Sequence, residues 1–123
     1  MTELIRLFKA LSDPTRLKIF KLLTVDEWCV CELAEIMKLS SPCISQHVQK
    51  LKIAGVLAER REGQWVYYSV DRKALDSRLR AFSEFVNGAL ETTPDLASEL
   101  ERVKILDRVQ SIGTCRKDKE ATR

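Results

Sequence analysis

The stretch WCVCEL, residues 28–33, places two of the chain's four cysteines one residue apart, at Cys29 and Cys31. Two thiolates this close can bind a soft, thiophilic ion, because histidine or carboxylate donors are what would favour a harder one. The spacing is not the Cys-x-x-Cys of a thiol oxidoreductase, and no regular disulfide framework surrounds it. We therefore interpret the pair as candidate ligands of a soft metal or metalloid, with a redox-sensing thiol pair as the alternative.

The composition predicts a single soluble domain that can bury a core. The chain has 123 residues, of which 45% are hydrophobic and 32% charged. No apolar run approaches the ~18 residues of a membrane span, and the charged N-terminal stretch is unlike a secretory signal. We expect a cytoplasmic protein with free thiols and no membrane partner. The net charge of +3 permits nucleic-acid binding, and Lys and Arg cluster in HVQKLK and ERREGQ.

Helix starts are marked by the three prolines, since each follows a residue type that caps helices. These pairs are Asp13-Pro14, Ser41-Pro42 and Thr93-Pro94, with proline expected at the first helical position. Apolar residues at helical spacing predict two helices before residue 24, a short third from Cys31 to Met37 and a fourth from Pro42 to Ala54. Two more helices are predicted after residue 70.

A β-hairpin is predicted between the fourth and fifth helices. The segment VLAERREGQWVYYSV is rich in Val, Trp and Tyr and has Gly63 near its middle. The fold class is therefore mainly α with a β-hairpin wing, a winged helix-turn-helix. We expect one domain over residues 1–112, followed by a polar, flexible tail over residues 113–123.

The fourth helix has the surface that a recognition helix needs. Ile44, Val48 and Leu51 share its apolar face, and short polar side chains lie opposite, as the major groove of DNA requires. We expect contacts to base edges from Ser45, Gln46 and Gln49, and to phosphates from the lysines of this helix. Two arginines near the wing tip are expected to reach the DNA backbone or the adjacent minor groove. The histidine is expected either to be half-buried or to contact phosphate. The candidate DNA-contacting residues are Ser41, Ser45, Gln46, His47, Gln49, Lys50, Lys52, Arg60 and Arg61.

An apolar seam after the hairpin predicts a homodimer. It consists of Leu75, Leu79, Phe82, Val86 and Ala89, and the first helix carries a second apolar face. Together these faces would form an isologous interface. A two-fold dimer places two recognition helices about 34 Å apart, so the expected partner is double-stranded DNA with an inverted repeat.

Four stretches of the chain resemble the ArsR/SmtB family of bacterial metal-responsive repressors, over roughly residues 4–92. They read ALSDPTRLKIFKLL, CVCELAEIM, LSSPCISQHVQKLKIAGVL and REGQWVYYSV. The resemblance implies a dimeric winged helix that binds operator DNA and releases it when an inducer binds. CVCEL is similar to the thiol box of the arsenic-, cadmium- and lead-responsive branches. By this resemblance Cys29 and Cys31 are the expected ligands of trivalent arsenic, As(III), or of antimony, Sb(III), and we expect a protein that is not an enzyme.

The thiol box departs from the family pattern at one position. Arsenic-type boxes often have a third cysteine three residues after the second, where this chain has Ala34. Cys43 or Cys115 is therefore the candidate third ligand, unless the inducer keeps a non-protein ligand. Branches that sense zinc, nickel or cobalt use histidines in the dimer helix. The only histidine here is His47, in the recognition helix. Cadmium or lead as the inducer remains the alternative within this fold.

The spacing of the cysteines also suggests how an inducer would act. On a helix, residues i and i+2 lie about 200° apart and cannot share one ion, whereas in extended backbone they share a face. The start of a helix also favours thiolate. Ligation by both thiols should therefore unwind the first turn of the third helix and displace the recognition helix.

Overall fold

The computed structural model of the protein describes residues 1–108, so the predicted tail and Cys115 lie outside the described residues. The described part divides into two compact units, Met1–Ser83 and a second that begins at Glu84. In chain order the elements are α1 (Thr2–Leu11), α2 (Pro14–Val25), β1 (Trp28–Cys29), α3 (Val30–Met37), α4 (Ser41–Ile53), β2 (Leu57–Glu62), β3 (Trp65–Val70), α5 (Arg72–Asn87), two single-turn 3-10 helices (Leu90–Thr92 and Pro94–Leu96) and α6 (Ala97–Arg108). The predicted fold class, mainly α with a β-hairpin wing, is confirmed.

The first unit is built around the apolar faces of its helices. Ile44, Val48 and Leu51 of α4 are buried against Leu7 of α1 and Leu33 of α3. Each such side chain contributes about 1.5–3 kcal/mol by leaving water. The predicted apolar face of the recognition helix is confirmed, and its burial sets which side of α4 is exposed.

The ends of α2 and α4 follow from local hydrogen bonding. The backbone N–H of Arg16 donates to the Asp13 carboxylate at 2.9 Å, which caps α2 as predicted. This bond lowers the pKa of Asp13. At the other end of α4, Gly55 has φ +78°, and its N–H donates to the Lys52 carbonyl at 2.9 Å. Glycine adopts this left-handed conformation without strain, so α4 stops there.

Two of the predicted helix starts are displaced. The cap of α4 is Ser40, whose hydroxyl accepts from the Cys43 N–H at 3.3 Å, so the prediction of Ser41 is wrong by one residue. Pro42 is then the second helical residue, where its missing N–H is equally harmless. Thr93 precedes a single 3-10 turn at Pro94, and α6 begins only at Ala97.

The sheet has three strands in the order β1-β3-β2, all antiparallel. The hairpin closes with Glu62 opposite Trp65, and Gly63 in its turn has φ +61°. The sequence did not predict β1. This strand pairs with β3 on the side opposite to β2, with Trp28 opposite Tyr68. The indole N–H of Trp28 donates to the Leu22 carbonyl of α2 at 3.0 Å, which anchors this short strand.

The predicted seam after the hairpin is only partly a surface feature. Leu75 is buried in the core of the first unit, whereas Leu79 and Phe82 are exposed. In the second unit Val86 is exposed, and Ala89 lies beyond the end of α5 at Asn87. Ala89 is therefore not part of the helical seam. No helix within residues 1–108 is both long and apolar enough to cross a membrane.

Candidate DNA-binding surface and thiol site

The exposed side of α4 carries most of the predicted DNA-contacting residues. Ser45, Gln46, Gln49 and Lys50 are all exposed, and Ser41 is exposed at the first helical position. The turn from α3 into α4 is short, and Lys38 in its left-handed conformation (φ +55°) ends α3. This helix-turn-helix therefore presents short polar side chains from a helix whose other face is fixed in the core.

His47 differs from its neighbours on α4. It is half-buried, and its Nδ1 is buried without a hydrogen-bond partner among residues 1–108. The half-buried position matches the first of the two predicted roles.

Lys52 lies at the side of α4 that faces the wing. Its ammonium contacts the Glu59 carboxylate of β2 at 2.5 Å, and this hydrogen bond raises the pKa of Lys52. Both side chains are partly exposed to solvent, so the pair is weak and can exchange. The ammonium of Lys52 can thus exchange Glu59 for a DNA phosphate, so this pair is compatible with the predicted phosphate contact.

Arg60 is held by a set of contacts that the sequence did not predict. Its guanidinium donates to Glu27 at 2.6 and 3.0 Å and to Glu62 at 2.9 Å, and it lies 4.7 Å from the centre of the Tyr67 ring. The Arg60 hydrogen bond lowers the pKa of Glu27, and the two carboxylates raise that of Arg60. Arg60 sits in the middle of β2, opposite Tyr67, so it ties the wing to the residue before β1. Arg61 is exposed on the same strand.

The two cysteines of the thiol box lie on either side of a junction between strand and helix. Cys29 ends β1, has extended backbone (φ −87°, ψ 168°) and is the N-cap residue of α3. It is only 6% exposed, and its backbone N–H donates to the Glu32 carboxylate at 3.0 Å. Cys31 is exposed in the first turn of α3. Two soft donors are therefore close in sequence but differ in backbone conformation and in access to solvent.

The predicted third ligand is not brought into this site by the described residues. Cys43 is half-buried in the first turn of α4, one helix further along the chain. Within residues 1–108, His, Cys, Asp and Glu side chains form no group of three or more that could hold a metal ion. Within the described residues the thiol box therefore offers two cysteines, one buried and one exposed, and Cys115 lies outside the described residues.

A helix-turn-helix with an exposed polar recognition face, followed by a hairpin with basic side chains, defines a DNA-binding protein of the winged-helix class. Residues 13–59 match the family described as bacterial regulatory protein, arsR family. The chain belongs to the ArsR family of bacterial regulatory proteins.

Three relatives show the range of regulators to which the chain is similar. It is 50% identical over 62 residues to the arsenic resistance transcriptional regulator ArsR1 of Pseudomonas putida, covering 50% of this chain and 48% of the relative. It is 44% identical over 70 residues to a homolog of the cadmium resistance regulatory protein CadC from Staphylococcus aureus, covering 56% and 58%. It thus spans about half the length of these two. It is 40% identical over 80 residues to the transcriptional repressor SdpR of Bacillus subtilis, covering 65% and 89%.

A solved structure supports the winged helix-turn-helix fold. The homodimeric winged helix-turn-helix DNA-binding domain of Mb0332 from Mycobacterium bovis matches with a TM-score of 0.57 and 31% identity. The match covers 69% of this chain and 78% of that domain.

Proposed function

We propose that the protein is a metalloid-responsive repressor, which binds operator DNA as a homodimer and releases it when As(III) binds Cys29 and Cys31. The main support for this proposal is the position of Cys29. This residue is both the N-cap of α3 and a partner of Tyr67 in the wing strand β3. A ligand that needs both thiols must therefore disturb both parts of the DNA-binding surface.

The first route runs through α3. Cys29 is extended and buried, whereas Cys31 is helical and exposed, so we expect the binding of one ion by both sulfurs to change the backbone at this junction. Bringing them together would break the hydrogen bond from the Cys29 N–H to Glu32 and unwind the first turn of α3. Since α3 packs against α4 in the helix-turn-helix, this change would move the recognition helix.

The second route runs through the sheet. Cys29 pairs with Tyr67, and Tyr67 pairs with Arg60, so the three residues form one row across β1, β3 and β2. Arg60 in turn holds Glu27, two residues before Cys29. Withdrawal of Cys29 from β1 would loosen this row and the Glu27–Arg60 pair together. The wing would then lose contacts that hold it in its observed position beside β1.

As(III), with Sb(III) as a close second, is the inducer that we infer. Sulfur donors without histidine select soft ions, and the arsenic resistance regulator of P. putida is 50% identical over the matched half of the chain. Cadmium or lead is the alternative, supported by the similarity to the CadC homolog. A redox-sensing repressor could use the same two thiols without any ion.

The proposed function is tested by an operator-binding titration. DNA from the promoter region preceding the gene is labelled, and its affinity is measured by fluorescence anisotropy with arsenite, antimonite, cadmium, lead or peroxide. Arsenite should weaken binding at the lowest concentration. Release by cadmium or lead alone would establish the alternative inducer. Release by peroxide while arsenite has no effect would establish the redox alternative.

The homodimer is supported by exposed aromatic side chains on α1 and α5. Phe8 and Phe82 meet edge to face with their ring centres 5.0 Å apart, yet they remain 44% and 40% exposed. Exposed apolar surface of this kind indicates an interface. We expect a dimer at micromolar concentration, and replacement of both by serine should shift it to monomer in sedimentation equilibrium. Val25→Ser, at an exposed apolar position on α2, is the matched control. A monomeric wild-type protein would contradict the proposal.

Two variants separate sequence recognition from phosphate contact. Gln46→Ala should lower the preference for operator over random DNA by about 1–3 kcal/mol, because a glutamine can read a base edge. Arg61→Ala should weaken both complexes equally and reduce the slope of log K against log salt by about one. Arg61 is a better position than Arg60 for this test, because removal of the Arg60 side chain also breaks its ion pair with Glu27. A change of sequence preference in Arg61→Ala alone would reverse these two roles.

A further inference from the structure

A concave site lies on the first unit, between α1, the start of α2 and the end of α4. Its volume is about 320 Å³, and four cationic side chains line it, from Arg6, Lys9, Arg16 and Lys50. The apolar part of the lining comes from Ala10, Ala54 and Ile53. We call this site the basic crevice. It is separate from the thiol box and from the exposed polar face of α4, except that Lys50 belongs to both surfaces.

Arg16 gives the basic crevice a fixed donor. Its Nε–H donates to the Ala10 carbonyl at 2.7 Å and its Nη2–H to the Lys9 carbonyl at 3.4 Å. Its backbone N–H is held by Asp13. These bonds hold the guanidinium at the C-terminal end of α1. A guanidinium has five N–H donors, so several remain for a ligand.

The positive charge of the crevice is only partly offset within the described part of the chain, where the Asp13 carboxylate, which accepts from the Arg16 backbone N–H, also attracts the Arg16 side chain. Over residues 1–108, none of the four cations lies within salt-bridge distance of a carboxylate, although Lys52, Arg60 and Arg78 each do. The C-terminal ends of α1 and α4 attract cations and account for part of the clustering. They do not account for the open volume between the cations or for its apolar lining, which together fit an amphipathic anion.

We propose that the basic crevice binds a small organic anion, with a phosphate or carboxylate group on the cations and an apolar body on Ala10, Ala54 and Ile53. Its volume is at the lower end of those found for small-molecule sites. A DNA phosphodiester would use the cations but not the apolar lining, so the lining favours the small ligand. Because Lys50 is also a candidate phosphate contact, the anion and the operator compete for it; this last point rests on the proposed function.

The binding test uses phenyl phosphate and inorganic phosphate as probes of the full chain, by calorimetry and by amide NMR shifts. Phenyl phosphate should bind about tenfold more tightly, since burial of a ring adds to the shared charge interaction. The double variant Arg6→Gln, Lys9→Gln should lose about tenfold or more of this affinity. Lys18→Gln, Lys21→Gln is the control, because it removes the same charge from exposed positions of α2 outside the crevice.

Equal binding of the two probes, or an equal loss in the control variant, would overturn the proposal in favour of general charge attraction. A further result would also overturn it: the wild-type protein does not bind phenyl phosphate, and the Arg6→Gln, Lys9→Gln variant weakens operator binding. The crevice would then be a contact surface for DNA. Competition is measured separately, as operator affinity with and without phenyl phosphate at constant ionic strength. If phenyl phosphate binds without weakening the operator complex, the anion site is confirmed, and the proposed competition for Lys50 is wrong.

Discussion

Serine in place of Cys29 or Cys31 should leave operator binding intact and abolish release by arsenite. Serine is a preferred helix N-cap, so Cys29→Ser keeps or improves the start of α3, and Cys31 is exposed. The fold should therefore survive both changes. Binding of one ligand typically changes the affinity for a second by about 5–150-fold. Each variant should lose the whole effect of arsenite on operator affinity, because neither retains both thiols.

The measurement is operator affinity by fluorescence anisotropy, with and without saturating arsenite. Trp28 lies next to Cys29 in β1, so its fluorescence can report arsenite binding in the absence of DNA. Cys43→Ser is the matched control, and it should respond to arsenite unless Cys43 supplies a third sulfur. Release of DNA by both Cys29→Ser and Cys31→Ser at the wild-type arsenite concentration would place the inducer site elsewhere.

Leu51→Ala should lower the free energy of unfolding by about 2–5 kcal/mol. Leu51 is 0% exposed and belongs to the buried face of α4, so its truncation leaves a cavity under the recognition helix. The loss is a large part of the about 5–15 kcal/mol that typically stabilises a domain. Operator binding should weaken as well, since an unfolded fraction cannot bind.

Urea denaturation at one fixed protein concentration measures this effect, because the stability of a dimer depends on concentration. Gln49→Ala, at an exposed position on the same helix, should change the free energy of unfolding by no more than about 0.5 kcal/mol. If the two variants were equally stable, the burial of Leu51 would not be what holds α4 in place.

Local patterns in the sequence were sufficient to predict the helices of the first unit and the hairpin. The spacing of Ile44, Val48 and Leu51 identified the buried face of α4, since a helix repeats every 3.6 residues. The choice between Ser40 and Ser41 as the cap could not be made in this way. Both residues are good caps, and the extended backbone of Ser40 decides between them.

Contacts between distant residues could not be predicted. The strand β1 is only two residues long, and its pairing with Tyr67 and Tyr68 leaves no periodic signal. The partner of Arg60 is Glu27, 33 residues earlier, so a basic residue near a turn was assigned to DNA without knowledge of this pair. The unequal exposure of Cys29 and Cys31 was hidden for the same reason, because the sheet that buries Cys29 was not foreseen.

Because Cys29 is buried and Cys31 is exposed, the proposed site should distinguish reagents that bind one sulfur from ions that bind two. An alkylating reagent or a small disulfide needs one sulfur only, and it can modify Cys31 while β1 stays paired with β3. Such a monofunctional reagent gains nothing from opening the strand. A chelating ion gains a second bond to sulfur, which offsets the loss of the strand pairing. The regulator would therefore remain on DNA under general electrophilic stress and respond to thiophiles that bridge two sulfurs.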